Sequence, residues 1–421
     1  MDSQIVIGVT GSFGSGCSKI AEVLSLNHGF KVYALSKFLR EEWERRNGKP
    51  AKEALRSQLQ DLGNDLRKEH SLSILAEKTY DQVCKDKKKN VNLAFDSIRN
   101  PAEIGFLRSK FSNFYLIAVD CTEVDRWNRV EKYYKEKGLG YEHFLKDDER
   151  DKNEDGVIYG QQVAVCVDEA DYLIRNDNEL MVTTNKAIVR ILRDKVLDPY
   201  KLFKGKLRPP SDREAYMSIA YAASLLSHCY KRQVGAVIVD AKGEILSIGF
   251  NENPEPLAPC YDQFGDCFRA IYTEQIMACL RNCPFCKTEL NELSPPYKCP
   301  SCSKNIYHEI VRDRALGRCT ALHAEEKAIM NSASRSLAGC TLYVTTFPCF
   351  TCTQKILESG IETISYVESY PDIDGVRLFQ TAIKKGRKIV IDKFEGVKAR
   401  AYFKLFGAWR REKEAEMAKR T

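Results

Sequence analysis

His323-Ala324-Glu325 is followed by Pro348-Cys349-Phe350-Thr351-Cys352, with Cys349 26 positions after the histidine. A histidine and two cysteines supply three zinc ligands and leave a fourth position open to water, the arrangement of a hydrolytic rather than a structural metal site. Cysteines that open a helix have their thiolates stabilised by its dipole. Glu325, two residues beyond His323, can reach that water without binding the metal, so it has the position of a proton carrier. Either element alone reads more simply as a satisfied core histidine or a structural cysteine pair. The two in this order, each beside an apolar strand or helix, make the specific signal.

The surroundings read as an α/β domain. Thr341–Thr345 and Thr363–Val367 are apolar strands separated by the helix that Cys349 begins. Val234–Val239 and Glu244–Gly249 flank Asp240-Ala241-Lys242-Gly243, a hairpin signal. Ser211 and Glu214 have capping-box spacing, which predicts a helix from Asp212. Pro199, Pro209 and Pro210 place a linker over residues 199–211, between a domain at 1–198 and a second at 212–421.

Of 16 cysteines, the second half holds most, and a second set stands as Cys283-Pro-Phe-Cys286 and Cys299-Pro-Ser-Cys302. Two such knuckles close tetrahedrally on one zinc with no open position, so a structural zinc ribbon is expected within an insertion at 255–316. An insertion this poor in hydrophobic periodicity needs a metal for its folding energy. Cys260, Cys267, Cys279, Cys319 and Cys340 read as ordinary buried thiols.

The first half opens as strand, glycine loop, helix. Gly11-Ser12-Phe13-Gly14-Ser15-Gly16-Cys17-Ser18 fits a phosphate loop except that Cys17 stands where a lysine belongs. The glycines let backbone N–H groups converge on phosphate, and Ser18 can still hold Mg²⁺; without the lysine, phosphoryl transfer loses a main charge stabiliser. Strands near 30–34, 91–95, 114–119 and 172–174 alternate with helices, which indicates a parallel sheet.

Composition agrees with a globular chain. Its 421 residues carry 65 Lys+Arg against 58 Asp+Glu, and a net charge of +7 gives no prior for a protein that coats nucleic acid. No apolar run approaches the ~18 residues of a membrane span, and a cytoplasmic location is expected.

Over Asp212 to about Phe394 the sequence resembles the deoxycytidylate deaminase family of zinc nucleobase deaminases. Leu322-His323-Ala324-Glu325-Glu326-Lys327-Ala328-Ile329 is similar to its zinc-histidine helix, Thr341-Leu342-Tyr343-Val344-Thr345-Thr346-Phe347-Pro348-Cys349 to its cysteine turn, and Gln233–Val239 with Gly249-Phe250-Asn251-Glu252-Asn253-Pro254 to its first hairpin. The resemblance implies a three-layer α/β/α cytidine-deaminase-like domain, a nucleotide-positioning role for Asn251 and an aromatic contact at Tyr370. Glu252 stands where a glycine is common and Lys327 where an asparagine is, which leaves the number of substrate phosphates open. About residues 1–195 look like P-loop nucleoside and nucleotide kinases, with Asp96 at the acidic strand end beside the phosphates and Arg126 and Arg129 at lid positions. That implies a kinase-like, nucleotide-binding and regulatory domain.

The two together look like the bacterial anti-phage deoxycytidylate deaminases. That resemblance implies conversion of dCTP and dCMP to their uracil forms, depletion of the dCTP pool, gating by the first domain, a homo-oligomer and, in some members, an inhibitory small RNA. Two other readings remain at this point. One is a polynucleotide deaminase, which shares the zinc signature. The other is a nucleotide sensor with an inert deaminase domain, against which the intact Glu325 speaks.

Overall fold

Strand β1 (Val6–Thr10) is buried along its whole length, as a strand covered by helices on both faces must be. In the computed structural model the described residues are 4–86, 91–152, 158–177, 185–206, 208–290, 298–304, 306, 319–333, 335–368 and 373–407. They fall into two units, one formed by residues up to Glu214 together with those from Glu395 onward, the other by Ala215–Phe394.

In the first unit β1 is joined by β2 (Lys31–Ala34), β3 (Leu93–Ile98), β4 (Phe114–Asp120) and β5 (Tyr172–Arg175). These run parallel in the order β2-β3-β1-β4-β5. β1 therefore has neighbours on both sides, and its carboxyl end is the crevice where an open parallel sheet receives a ligand. The glycine loop leaves β1 at that end and enters the helix Cys17–His28. Ile20, Val23 and Leu24 of this helix pack on Ile7, Val9, Ile117 and Ile174 of the sheet.

Two features depart from the expected boundaries. The helix Asn185–Phe203 runs through Pro199, so no linker begins there. A proline interrupts the helical hydrogen bonds, but burial of Leu202 and Phe203, with Phe203 stacked 4.1 Å from Tyr115, offsets that cost. Residues beyond 394, expected in the second domain, belong to the first unit. β11 (Gly396–Val397) adds antiparallel to β5, and Ala401, Leu405 and Phe406 enter the same core.

The second unit is a mixed sheet in the order β10-β9-β8-β6-β7, comprising β6 (Gly235–Val239), β7 (Ile245–Phe250), β8 (Thr341–Thr346), β9 (Thr363–Glu368) and β10 (Val390–Lys393). β6 pairs antiparallel with β7 and β8, whereas β8, β9 and β10 are parallel. The helix Asp212–Ser224 starts where the capping box predicts: the Glu214 carboxylate accepts from the Ser211 N–H at 2.8 Å. Alternation along β6 sends Ala236 and Ile238 to a core shared with Ala324, Ala328, Cys352, Ile356 and Phe379. Gly235 faces the other way, and a Cβ there would stand 1.9 Å from the Ala220 carbonyl oxygen. Helices thus cover both faces in three layers. No described helix is long and apolar enough to cross a membrane.

Candidate active site

The zinc-type residues sit on two helix N-termini. His323 caps the helix Ala324–Asn331, and its backbone N–H donates to the Glu326 carboxylate at 2.7 Å, a reciprocal cap that fixes the histidine. Glu326 is in turn ion-paired with Lys355. Cys349 caps the helix Phe350–Ser359 and Cys352 lies in its first turn. The His323 Nδ1 atom is 3.2 Å from the Cys352 Sγ and 3.3 Å from the Cys349 Sγ. Ligands at Zn–N of about 2.0 Å and Zn–S of about 2.3 Å in a tetrahedron stand about 3.5 Å apart, so the set fits one zinc.

The electrostatics are those of a poised ligand set. Hydrogen bonding by Cys352, more than the neighbouring His323, holds the Cys349 thiol down at about 3 in spite of burial. Burial works against charge on His323, but its hydrogen bond to Cys349 raises it overall. Glu325 is 4% exposed, and burial raises its carboxyl above the usual range.

His323, Glu325 and Cys349 open onto a cavity of about 240 Å³ lined also by Asn251, Arg232, Lys231, Arg269, Thr346 and Phe347. Asn251 holds its wall: its Oδ1 accepts from the Val234 N–H at 2.7 Å and its Nδ2 donates to the Arg232 carbonyl at 2.9 Å. Glu252 accepts from the His228 N–H at 2.9 Å, and Lys327 lies 3.8 Å over the Phe250 ring, so both departures from the family pattern have local structural partners. Tyr370 lies outside the described residues.

Cys283, Cys286, Cys299 and Cys302 converge as a second group. Cys283 and Cys302 have sulfurs 3.7 Å apart, and Cys286 and Cys299 3.6 Å, near the edge of about 3.8 Å of a tetrahedral Zn–S₄ site. The knuckles repeat one geometry. Lys287 N–H donates to Cys283 O and Ser303 N–H to Cys299 O, both at 2.9 Å, and Lys287 and Ser303 both have positive φ. Of the thiols expected to be buried, Cys340 is, but Cys279 is exposed and Cys260, Cys267 and Cys319 are half-buried. Cys267 and Cys319 line the active-site cavity with Cys229.

In the first unit, Gly11, Ser12, Phe13, Gly14, Gly16, Cys17 and Ser18 line a cavity of about 470 Å³. Gly16 has φ of 107°, and a Cβ there would meet Asn176 Nδ2 at 2.4 Å, so only glycine fits. Ser15 is buried under the loop, where its carbonyl accepts from Asn176 at 2.6 Å. Ser18 donates to Asp96 at 2.8 Å. Burial pushes the Cys17 thiol up to about 12, so the lysine position carries no charge. Arg126, expected at a lid position, is buried in an ion pair with Asp148. Arg129 donates to Gly14 O at 3.2 Å and lines the cavity.

Sequence reasoning missed Arg56, Arg67 and Arg99, which line the same cavity from distant segments. Buried Asp151 pairs with both Arg56 and Arg99. It also missed Arg269, Lys231 and Arg232 at the zinc-type site. The adjoining Lys231-Arg232 just before a strand was the available signal.

Fold and site define a zinc-type cytidine deaminase domain, and residues 210–368 match the family described as the cytidine and deoxycytidylate deaminase zinc-binding region. The deoxycytidylate deaminases of Saccharomyces cerevisiae and Pongo abelii are each 30% identical to this chain, over 178 and 206 residues. Those stretches cover 42% and 46% of this chain, and 44% and 90% of the respective relatives. The chain belongs to the deoxycytidylate deaminase family. The Schizosaccharomyces pombe deoxycytidylate deaminase is 23% identical over 367 residues, 86% of this chain and 90% of its own length, so that likeness extends beyond the second unit. A UPF0200 protein of Methanothermobacter thermautotrophicus is 30% identical over 199 residues, 46% of this chain and 93% of its own length.

Proposed function

We propose that the second unit hydrolyses the amino group from free deoxycytidine nucleotides, taking dCMP or dCTP to dUMP or dUTP with release of ammonia. The observation that carries this reading is the grouping of His323, Cys349 and Cys352, with His323, Cys349 and buried Glu325 lining one cavity. Zinc held by these three side chains supplies, when bound, the Lewis acidity that makes water a nucleophile near neutral pH. Glu325 accepts a proton from the attacking water and delivers it to ring N3, then helps protonate the amine as the C4–N bond breaks. Burial keeps bulk water from competing for that proton. Asn251 shapes the wall against the sugar, with Tyr370 a further nucleotide contact. Cys283, Cys286, Cys299 and Cys302 hold a structural zinc.

The first unit binds a regulatory nucleotide, its phosphates on the Gly11–Ser18 loop, where Ser18 and Asp96 are the residues that would hold Mg²⁺ and so neutralise phosphate charge. An uncharged Cys17 favours binding over phosphoryl transfer. Depletion of the dCTP pool against phage, a homo-oligomeric state and restraint by a small RNA complete the proposal on the strength of the sequence resemblance.

The test is ammonia release by zinc-replete protein with dCMP, dCTP, CTP and a cytosine-bearing oligonucleotide. Turnover of dCMP or dCTP supports the reading. Turnover of the oligonucleotide alone replaces it with polynucleotide editing.

A further inference from the structure

The cavity over Glu325 is small, about 240 Å³, below the range of about 300–1,000 Å³ that encloses a drug-sized ligand. A nucleoside would fill it, and phosphates must leave through its mouth. Cys229, Lys231 and Arg232 also line a second cavity of about 610 Å³. Buried Glu325 and Cys349, with His323, line the first cavity together with exposed Lys231 and Arg232 and half-buried Arg269. Arg232 is ion-paired at 2.5 Å with Glu368, which orients it. Lys231 and Arg232 come from the segment before β6. Arg269 comes from the helix Phe268–Cys279, which leads directly to Cys283 of the four-cysteine group.

We propose that Arg269 recognises the phosphates of the substrate together with Lys231, and that the cysteine-stapled insertion is therefore part of the substrate site. This deepens the reading of the second unit as a nucleotide deaminase and rests on it. A half-buried arginine in the wall of a partly open cavity is suited to a phosphate: its guanidinium offers planar donors and permanent charge, and it loses less to hydration than an ammonium. Arg269 shares the cavity wall with Cys319, whose thiol burial pushes up. The four-cysteine group then sets substrate affinity as well as local folding, because it anchors the helix that carries Arg269.

The experiment compares the full-length zinc-replete chain with Arg269→Gln and Arg269→Lys. It reads kcat and KM for dCMP and dCTP, inhibition by dUMP against deoxyuridine, and zinc content. The expected result for Arg269→Gln is a KM for nucleotides raised roughly ten- to a hundredfold, the loss of one charge-assisted hydrogen bond, with kcat and zinc nearly unchanged. Inhibition by dUMP weakens by the same factor, inhibition by deoxyuridine does not, and Arg269→Lys recovers part of the loss. Unchanged KM, or equal weakening of dUMP and deoxyuridine, overturns the proposal. If the unsubstituted chain releases ammonia from neither dCMP nor dCTP, the failure lies with the deaminase reading itself.

Discussion

Gly249 of β7 lies so close to the first turn of the zinc-histidine helix that a Cβ on it would stand 2.1 Å from the Ala324 carbonyl oxygen. That distance sets where Glu325 sits, since Ala324 and Glu325 are consecutive on the helix. The added methyl would meet backbone, which cannot turn aside. Gly249→Ala should therefore displace the helix, lowering Tm by the equivalent of roughly 1–3 kcal/mol and kcat with it. Calorimetry alongside an ammonia assay checks this; unchanged values of both would show that the sheet yields freely.

Glu325→Gln keeps shape and burial but cannot carry the proton. Zinc content should be retained while kcat falls by about 10²–10⁴. Metal analysis of the same preparation separates lost chemistry from lost zinc.

The knuckles at Cys283 and Cys299 surround a small cluster, with Met277, Leu290 and Ile306 as its other buried members. So little apolar surface cannot order the segment unaided. Cys283→Ser should remove about one zinc equivalent and make the insertion sensitive to proteolysis, with His323, Cys349 and Cys352 still loaded. Retention of the full metal content would mean that the four sulfurs are no site.

Asp148 is 2% exposed and faces Arg126 and, at 2.7 Å, Lys152. Burial alone would raise its carboxyl, but its hydrogen bonds and charge interaction with Arg126 outweigh that and lower it. A carboxyl lower in the folded than in the unfolded state contributes stability that is full above its unfolded pKa, about 3.9, and lost as pH falls through the lower folded value. Asp148→Asn should be less stable by about 3–5 kcal/mol at pH 7, because it leaves Arg126 buried and unpaired. The difference should shrink below about pH 4 as the native carboxyl is titrated; urea unfolding of both proteins across pH reads it.

Ser18→Ala removes the hydroxyl beside Asp96. Affinity for Mg²⁺-nucleotide at the first unit should fall, while zinc content and dCMP turnover measured without added ATP hold. Equilibrium dialysis with Mg²⁺-ATP as the probe, paired with the ammonia assay, distinguishes this from a general loss of fold.

Much of this was legible in the chain. Strands β1–β9 were marked by short apolar runs between turn residues, and the helix at Asp212 by its capping box, because these signals are local. β10 and β11 gave none: Val390–Lys393 has no fully buried residue and Gly396–Val397 is only two residues long. The helix through Pro199 was misread because proline is a local penalty, whereas the burial of Phe203 against Tyr115 that offsets it is a distant contact.

The candidate sites divide in the same way. Sequence by itself determined the ligand types and spacing at His323, Cys349 and Cys352, the knuckles, and the glycine loop with its missing lysine, since each is written in consecutive residues. Tertiary structure alone decided that Glu325 is buried, that Asp151 gathers Arg56 and Arg99 into the loop's cavity, and that Arg269 lines the other. Burial and the meeting of charges from remote segments depend on how elements pack, and no spacing along a chain encodes that distance.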